Sequence, residues 1–421
     1  MENLKNRKLI PRIFSFINDK ETIVIHGSRQ VGKTSILSLI INRLKTKLNI
    51  REGNIFYFDL EDFNLLDMCN SGADKTVSFL KGKGADFSKK VYIFIDEIQY
   101  LNNPSSFLKL FHDRYEDKIK LIVSGSSSFQ IKNKFKDSLA GRIVDFELFP
   151  LDFDEFLEFK GARYDLTADL PDILKNEINN LYKEFILYGG YPAIVLEDII
   201  EKKEMKLKQI INAYIKKDIK DLAEIRQIDK FNSLIKVLAA QTGGLLNVLE
   251  LSSTVGLAKQ TIEEYLFLLE NTYIIKRIKP FHKNIRSELT KMPKMYFEDT
   301  GIANILANKT FLSEINGALF ENSVYTQLRK KLNVEDIYFW RTNKQQEIDF
   351  VLEFIDKNKT RRLSIMEVKI NCFNKYLSAL KYFKINYRPA QIYCCCFDKK
   401  ENPKDKDITM LYPWQIPHVF G

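Results

Sequence analysis

The chain has 421 residues and a formal net charge of +10. That length exceeds what one ordinary core fills, so roughly two to four domains are expected. No run of about twenty apolar residues is present, and the opening Glu2-Asn3-Leu4-Lys5-Asn6-Arg7-Lys8 leads into no long apolar core; both argue against a membrane partner and a signal peptide and for a cytoplasmic protein.

In chain order, the apolar run Ile23-Val24-Ile25 predicts a strand, and Ser35-Ile36-Leu37-Ser38-Leu39-Ile40 predicts a helix. Between them stands Gly27-Ser28-Arg29-Gln30-Val31-Gly32-Lys33-Thr34, a complete P-loop. A phosphate chain needs backbone N–H donors at a helix N-terminus, and Gly27 and Gly32 let the backbone close around it. Residues Gly27 to Ser35 are therefore assigned to a nucleoside triphosphate, with Lys33 on the β- and γ-phosphates and the Thr34 hydroxyl on magnesium. The continuous apolar run Val91-Tyr92-Ile93-Phe94-Ile95 predicts a parallel strand buried on both faces. It delivers Asp96 and Glu97 at its carboxyl end, where Asp96 would hold magnesium through water and Glu97 would orient the attacking water. A third run, Leu121-Ile122-Val123, ends in Ser124-Gly125-Ser126-Ser127-Ser128, and Gly141-Arg142 precedes the strand-like 143–149.

These segments, with Ile95-Asp96-Glu97-Ile98-Gln99 and Gly189-Gly190-Tyr191-Pro192, together resemble a prokaryotic group of AAA-type P-loop ATPases (AAA+ family). Its members carry a C-terminal domain of unknown function resembling PD-(D/E)xK nucleases, and the resemblance spans nearly the whole chain. It implies ATP and Mg2+ as cofactors and hydrolysis of ATP. It also implies a sensor role for Ser126 beside the γ-phosphate, an arginine finger at Arg142 acting within a homo-oligomer, and a helical lid and connector over residues 151–229. The bland readings are an ordinary serine-rich turn for Ser126 and a surface ion pair for Arg142.

From Phe231 to Phe281 short helical patterns follow one another, at 231–240, 247–256 and 258–269, before the basic Lys276-Arg277-Ile278-Lys279-Pro280-Phe281-His282-Lys283. This layout is close to a winged helix with a basic wing. The third helix carries Glu263, Glu264 and Glu270, which repel phosphates, so the module is read as using its wing or packing on another domain rather than reading a sequence. The lysine-rich stretches 201–208 and 216–220 read as solvated faces. Five cysteines, three consecutive at 394–396, read as reduced, partly buried thiols, and four scattered histidines form no zinc pattern.

The last third holds a second constellation. Glu321 falls on a helical stretch, 347–352 is strand-like, and Leu363-Ser364-Ile365-Met366-Glu367-Val368-Lys369 alternates so that Glu367 and Lys369 share a face. A hairpin turning at 356–360 brings Asp349 beside them. Carboxylates with a lysine are what magnesium-dependent phosphodiester cleavage requires. The arrangement matches the PD-(D/E)xK pattern, with Asp349 and Glu367 as metal ligands, Lys369 orienting water or stabilising charge, and Glu321 as the helix carboxylate. An acid and a lysine alternating on a strand are also common surface chemistry. The expected fold is α/β: a P-loop AAA-type core at 1–150, a lid and connector at 151–229, a winged-helix-like module at 230–290 and a nuclease-like α/β domain at 291–421. Two functions compete. One is an ATPase coupled to a nuclease-like domain acting on DNA or RNA. The other is an ATP-dependent switch whose nuclease-like domain binds partners without cleavage.

Overall fold

The computed structural model describes residues 4–125, 139–213, 227–281, 292–342, 346–355, 359–371, 377–398 and 405–420. The chain divides into two compact units, one of Met1–Phe149 with Ala213–Leu222 and Asn271–Tyr273, the other of Pro150–Asn212, Ala223–Glu270 and Ile274–Gly421.

The first unit is built on strands β1 (Thr22–Gly27), β2 (Ile55–Asp59), β3 (Val91–Asp96), β4 (Ile119–Gly125) and β5 (Ile143–Leu148). They pair in parallel in the order β2-β3-β4-β1-β5. β1, β3 and β4 are buried along their whole length, the reason their sequences read as unbroken apolar runs. Parallel pairing sends every carboxyl end to one rim of the sheet, which puts the loop after β1 beside the ends of β3 and β4. The helix Lys33–Lys47 starts directly from that loop and buries Ile36, Leu37, Ile40 and Leu44, one stripe at helical spacing.

The second unit joins the expected lid, helical module and C-terminal region into one body. Its sheet comprises β6 (Ile275–Pro280), β7 (Lys294–Phe297), β8 (Ile337–Arg341), β9 (Glu347–Ile355), β10 (Arg361–Asn371), β11 (Gln391–Asp398) and β12 (Ile408–Leu411), in the order β12-β11-β10-β9-β8-β6-β7. β9 and β10 form the expected antiparallel hairpin; residues 356–358 of its turn lie outside the described residues. The region from Pro150 is tied in by hydrogen bonds: the Phe153 N–H donates to Gln327 Oε1 at 3.1 Å, Lys330 Nζ to the Leu151 carbonyl at 2.8 Å, and the Gly190 N–H to Asp299 Oδ2 at 2.8 Å. The Gly189-Gly190 turn is thus a packing device of this unit.

Three expectations change. The helices Ile228–Ala240, Val248–Val255 and Lys259–Asn271 form as read, with Asn247 capping the second and Gly256 closing it in the left-handed region. The strand after them is not a wing: β6 pairs antiparallel with β7 and parallel with β8, inside the large sheet, so the boundary at 290 falls within a sheet. Its Arg277 is bound to Glu263 at 3.1 Å and Glu270 at 2.7 Å, turning the basic strand onto the acidic helix. Among the cysteines, Cys69, Cys394 and Cys395 are buried and outside any disulfide, whereas Cys396 is disulfide-bonded. Among the described residues no helix is long and apolar enough to cross a membrane.

Candidate functional site

At the carboxyl rim of the first sheet the P-loop closes tightly against β5. A Cβ on Gly27 would lie 2.1 Å from the Leu148 carbonyl oxygen, so only glycine fits. Gly32 and Gln30 both take left-handed backbone, with φ of 98° and 58°, the alternation that turns successive N–H groups inward. Arg7 braces the loop, its guanidinium donating to the Val31 carbonyl at 2.7 Å and the Phe149 carbonyl at 2.8 Å. The Lys33 ammonium, itself buried, donates to the carbonyls of Gly27 at 3.1 Å and Ser28 at 2.8 Å, which holds a positive charge over the cradle.

Asp96 is the hub beneath the loop. It is 3% exposed and accepts hydrogen bonds from the Thr34 hydroxyl at 2.6 Å, the Tyr57 hydroxyl at 2.9 Å and the Ser124 hydroxyl. Burial, and then the nearby Asp96 charge, raises the Tyr57 phenol well above its usual range, so Tyr57 stays a donor. A threonine hydroxyl held 2.6 Å from a buried carboxylate is the donor set that suits magnesium, and the residues present fit ATP with its ion. Glu97 follows with φ 57°, a costly conformation for a carboxylate residue, and its carboxylate is fixed by the Gln99 side-chain amide. Ser126 lies outside the described residues; among those described, Ser124 is the serine that reaches Asp96. Arg142 Nε is paired with Asp113 at 2.7 Å. Sequence reading missed Arg7 and Tyr57, which carry no motif. His26 is 2% exposed, bonded through Nδ1 to the Tyr273 hydroxyl and with Nε2 2.7 Å from Asp145.

The second unit brings Glu321, Asp349, Glu367 and Lys369 together as expected. Lys369 Nζ lies 3.0 Å from Asp349 Oδ2 and 2.7 Å from Glu367 Oε1, and the Val368 N–H donates to Asp349 Oδ2 at 2.7 Å. A residue that sequence reading missed sits among them. Lys294, on β7, is 3.0 Å from Glu321 Oε1, 2.6 Å from Glu347 Oε1 and 4.0 Å from Asp349 Oδ1. Glu321 also accepts from the Tyr296 hydroxyl at 2.5 Å, and Glu347 is 3.2 Å from Arg341. Burial, reinforced by Asp349, pushes the Glu321 and Glu367 carboxyls upward. Burial opposes the charge on Lys294 and Lys369 too, but the surrounding carboxylates outweigh it and raise both. Four carboxylates thus face three cations, Lys294 and Lys369 each bridging more than one carboxylate. Among the described residues no three His, Cys, Asp or Glu side chains converge as a metal-binding set. In this arrangement the cluster does not fit a divalent ion.

Residues 19–157 match the family described as "AAA domain", residues 179–313 a domain of unknown function (DUF8612) and residues 316–416 another (DUF4143). Similar full-length relatives include an uncharacterized protein of Haemophilus influenzae, 27% identical over 86% of this chain and 89% of that protein. Another, from Methanocaldococcus jannaschii, is 26% identical over 87% of this chain and 80% of that protein. Among solved structures, Cdc6p of Pyrobaculum aerophilum aligns with a TM-score of 0.31 at 12% identity, covering 73% of this chain and 96% of that one. Domain III of the Thermotoga maritima replication initiation protein DnaA aligns with a TM-score of 0.26 at 18% identity, covering 48% and 89%. The matched family, the parallel sheet and the P-loop together make residues 19–157 an AAA-type P-loop domain.

Proposed function

We propose that this chain is a magnesium-dependent ATPase acting as a molecular switch, with hydrolysis in the first unit and partner binding in the second. The observation that carries the ATPase reading is the contact between the Thr34 hydroxyl and buried Asp96, 2.6 Å apart beneath a P-loop whose Lys33 is already drawn over the cradle. Bound magnesium would neutralise phosphate charge and leave hydrolysis to positioning and electrostatics. Thr34 and Asp96 hold the ion's place, Lys33 stabilises charge on the transferring phosphoryl group, and Glu97, fixed by Gln99, orients water and takes its proton. Arg142 is proposed to act on the nucleotide of a neighbouring copy, leaving Asp113 to do so.

The switch reading is favoured over a nuclease-coupled one by Lys294, whose ammonium fills the cluster where phosphodiester chemistry would require an ion. The expected wing, a second argument for nucleic acid, is a sheet strand with Arg277 neutralised. Phosphate release from ATP, compared between wild type and Lys33→Ala, tests the ATPase. Incubation of single- and double-stranded DNA and RNA with Mg2+, with and without ATP, beside Lys369→Ala, tests the switch. The expected outcome is Lys33-dependent hydrolysis with no cutting of any substrate; cutting that Lys369→Ala abolishes would restore the coupled nuclease.

A further inference from the structure

Lys294 opens a question that the acid pattern alone does not raise. It lies on β7, the last strand in the sheet order, and every residue of that strand is buried. Its side chain is 3% exposed and reaches Glu321 from the helix Gly317–Arg329, Glu347 and Asp349 from β9, and the face of Phe339 at 5.7 Å. A buried ammonium among carboxylates survives only because each neutralises the other, and a lone member of such a set is strongly disfavoured. On the far side of Asp349, the second ammonium of Lys369 closes the set.

One oxygen is left over. Glu367 is 6% exposed, its Oε1 is held by Lys369, and its Oε2 has no hydrogen-bond partner among the described residues. A buried carboxylate oxygen with nothing to accept from is costly. Such an oxygen, on a carboxylate that shares Lys369 with Asp349, is the donor type that a hard divalent cation takes, since carboxylate oxygen suits magnesium and manganese.

We infer that Lys294 is the resident cation of this cluster, that its ammonium keeps the Glu321, Asp349 and Glu367 carboxylates closed to divalent metal, and that removing its charge creates a divalent-cation site. The inference rests on reading these carboxylates as a nuclease-type set, and it adds that this chain locks that set from within. Electrostatics supplies both halves of the lock. At equal distance, a unit positive charge within about 4 Å of a ligand oxygen repels an incoming dication twice as strongly as it attracts a carboxylate. The same ammonium neutralises the carboxylates that would otherwise repel one another. An inward lysine on an edge strand also discourages edge-to-edge pairing, but that role leaves no mark on cation binding.

The test is Mn2+ binding to nucleotide-free full-length protein, read by the electron paramagnetic resonance signal of unbound Mn2+. Wild type is compared with Glu367→Gln, Lys294→Met, Lys294→Gln and Lys294→Met combined with Glu367→Gln, and circular dichroism verifies that each is folded. The expected result is an affinity about tenfold or more higher in both single Lys294 variants than in wild type, with the gain lost when Glu367→Gln is added. Equal, tight binding by wild type and the single Lys294 variants that Glu367→Gln abolishes would overturn the lock while leaving the nuclease-type set intact. No Glu367-dependent binding in any of them would overturn the lock and that reading of the set together, since binding that Glu367→Gln leaves unchanged belongs to Thr34 and Asp96. If both single Lys294 variants unfold, the wild-type titration still decides, because a tight Mn2+ site that Glu367→Gln abolishes contradicts the inference. ATP hydrolysis by the same preparations reports on the first unit alone, so its failure is distinct from either outcome.

Discussion

The two units solve the problem of buried charge in opposite ways. In the first, one carboxylate, Asp96, accepts from the hydroxyls of Thr34, Tyr57 and Ser124 and from the Glu97 N–H, and among the described residues no cation is paired with it. In the second, Glu321, Glu347, Asp349 and Glu367 are compensated by Lys294, Lys369 and Arg341. A carboxylate held by hydroxyls and a backbone N–H is prepared to receive an ion; carboxylates matched by ammonium groups have already received theirs. Residue type does not separate the two sites, since both hold acids and lysine. What separates them is where the lysine points: Lys33 to the backbone carbonyls of its own loop, Lys294 to carboxylates.

The sharpest way to break this contrast is to remove charge from the first unit. Lys33→Ala and Glu97→Gln should each lower ATP turnover by about 100-fold or more, measured as phosphate release, because one loses a stabiliser of developing charge and the other the group that takes the proton from water. Glu97→Gln should still bind ATP, a difference that equilibrium nucleotide binding reads directly. In the second unit the largest effect belongs to stability rather than turnover. Asp349→Ala leaves Lys369 and the Val368 N–H without their shared acceptor, and denaturant unfolding should show a loss of about 3 kcal/mol, with ATP hydrolysis unchanged.

A smaller effect sharpens the electrostatic side. Glu321 and Glu367 both have raised pKa values in the folded protein, so the folded state binds more protons than the unfolded chain above the ordinary carboxylate range. Their stabilising contribution is complete below that range and is lost as pH rises through the raised values. Unfolding of the second unit followed from pH 5 upward should therefore show falling stability, and Glu367→Gln should flatten the slope. Smallest is Arg142→Ala. Its pair with Asp113 is partly exposed, with side chains 32% and 39% accessible, and should contribute little to stability. A fall in turnover at high protein concentration, well beyond that stability change, would mark the action of Arg142 between copies.

The contrast also governs what the sequence could disclose. The P-loop was legible because its chemistry is carried by consecutive residues between Gly27 and Thr34, and the acidic strand because a doubly buried parallel strand announces itself as an apolar run ending in Asp96-Glu97. The β9–β10 hairpin was legible for the same local reason, the period-two alternation around Glu367 and Lys369. Lys294 was not, because its partners come from one helix and another strand far along the chain. Its only local trace is a single lysine opening the apolar run Met295-Tyr296-Phe297. The supposed wing failed for a related reason: a basic strand after three short helices looks the same whether it ends a winged helix or joins a sheet, and its pairing with β8 is a tertiary fact. Arg7 and Tyr57 reach the P-loop and Asp96 from positions that no motif marks.

The central claim is that the P-loop unit hydrolyses ATP with its ion held at Thr34 and Asp96. It is tested most directly by Mg2+-dependent phosphate release from ATP by wild type and Glu97→Gln, with nucleotide binding measured on the same samples. The account predicts turnover in wild type that needs Mg2+, and in Glu97→Gln a loss of about 100-fold in turnover with binding retained. Turnover that survives Glu97→Gln unchanged, or tight ATP binding with no turnover in wild type, would contradict it.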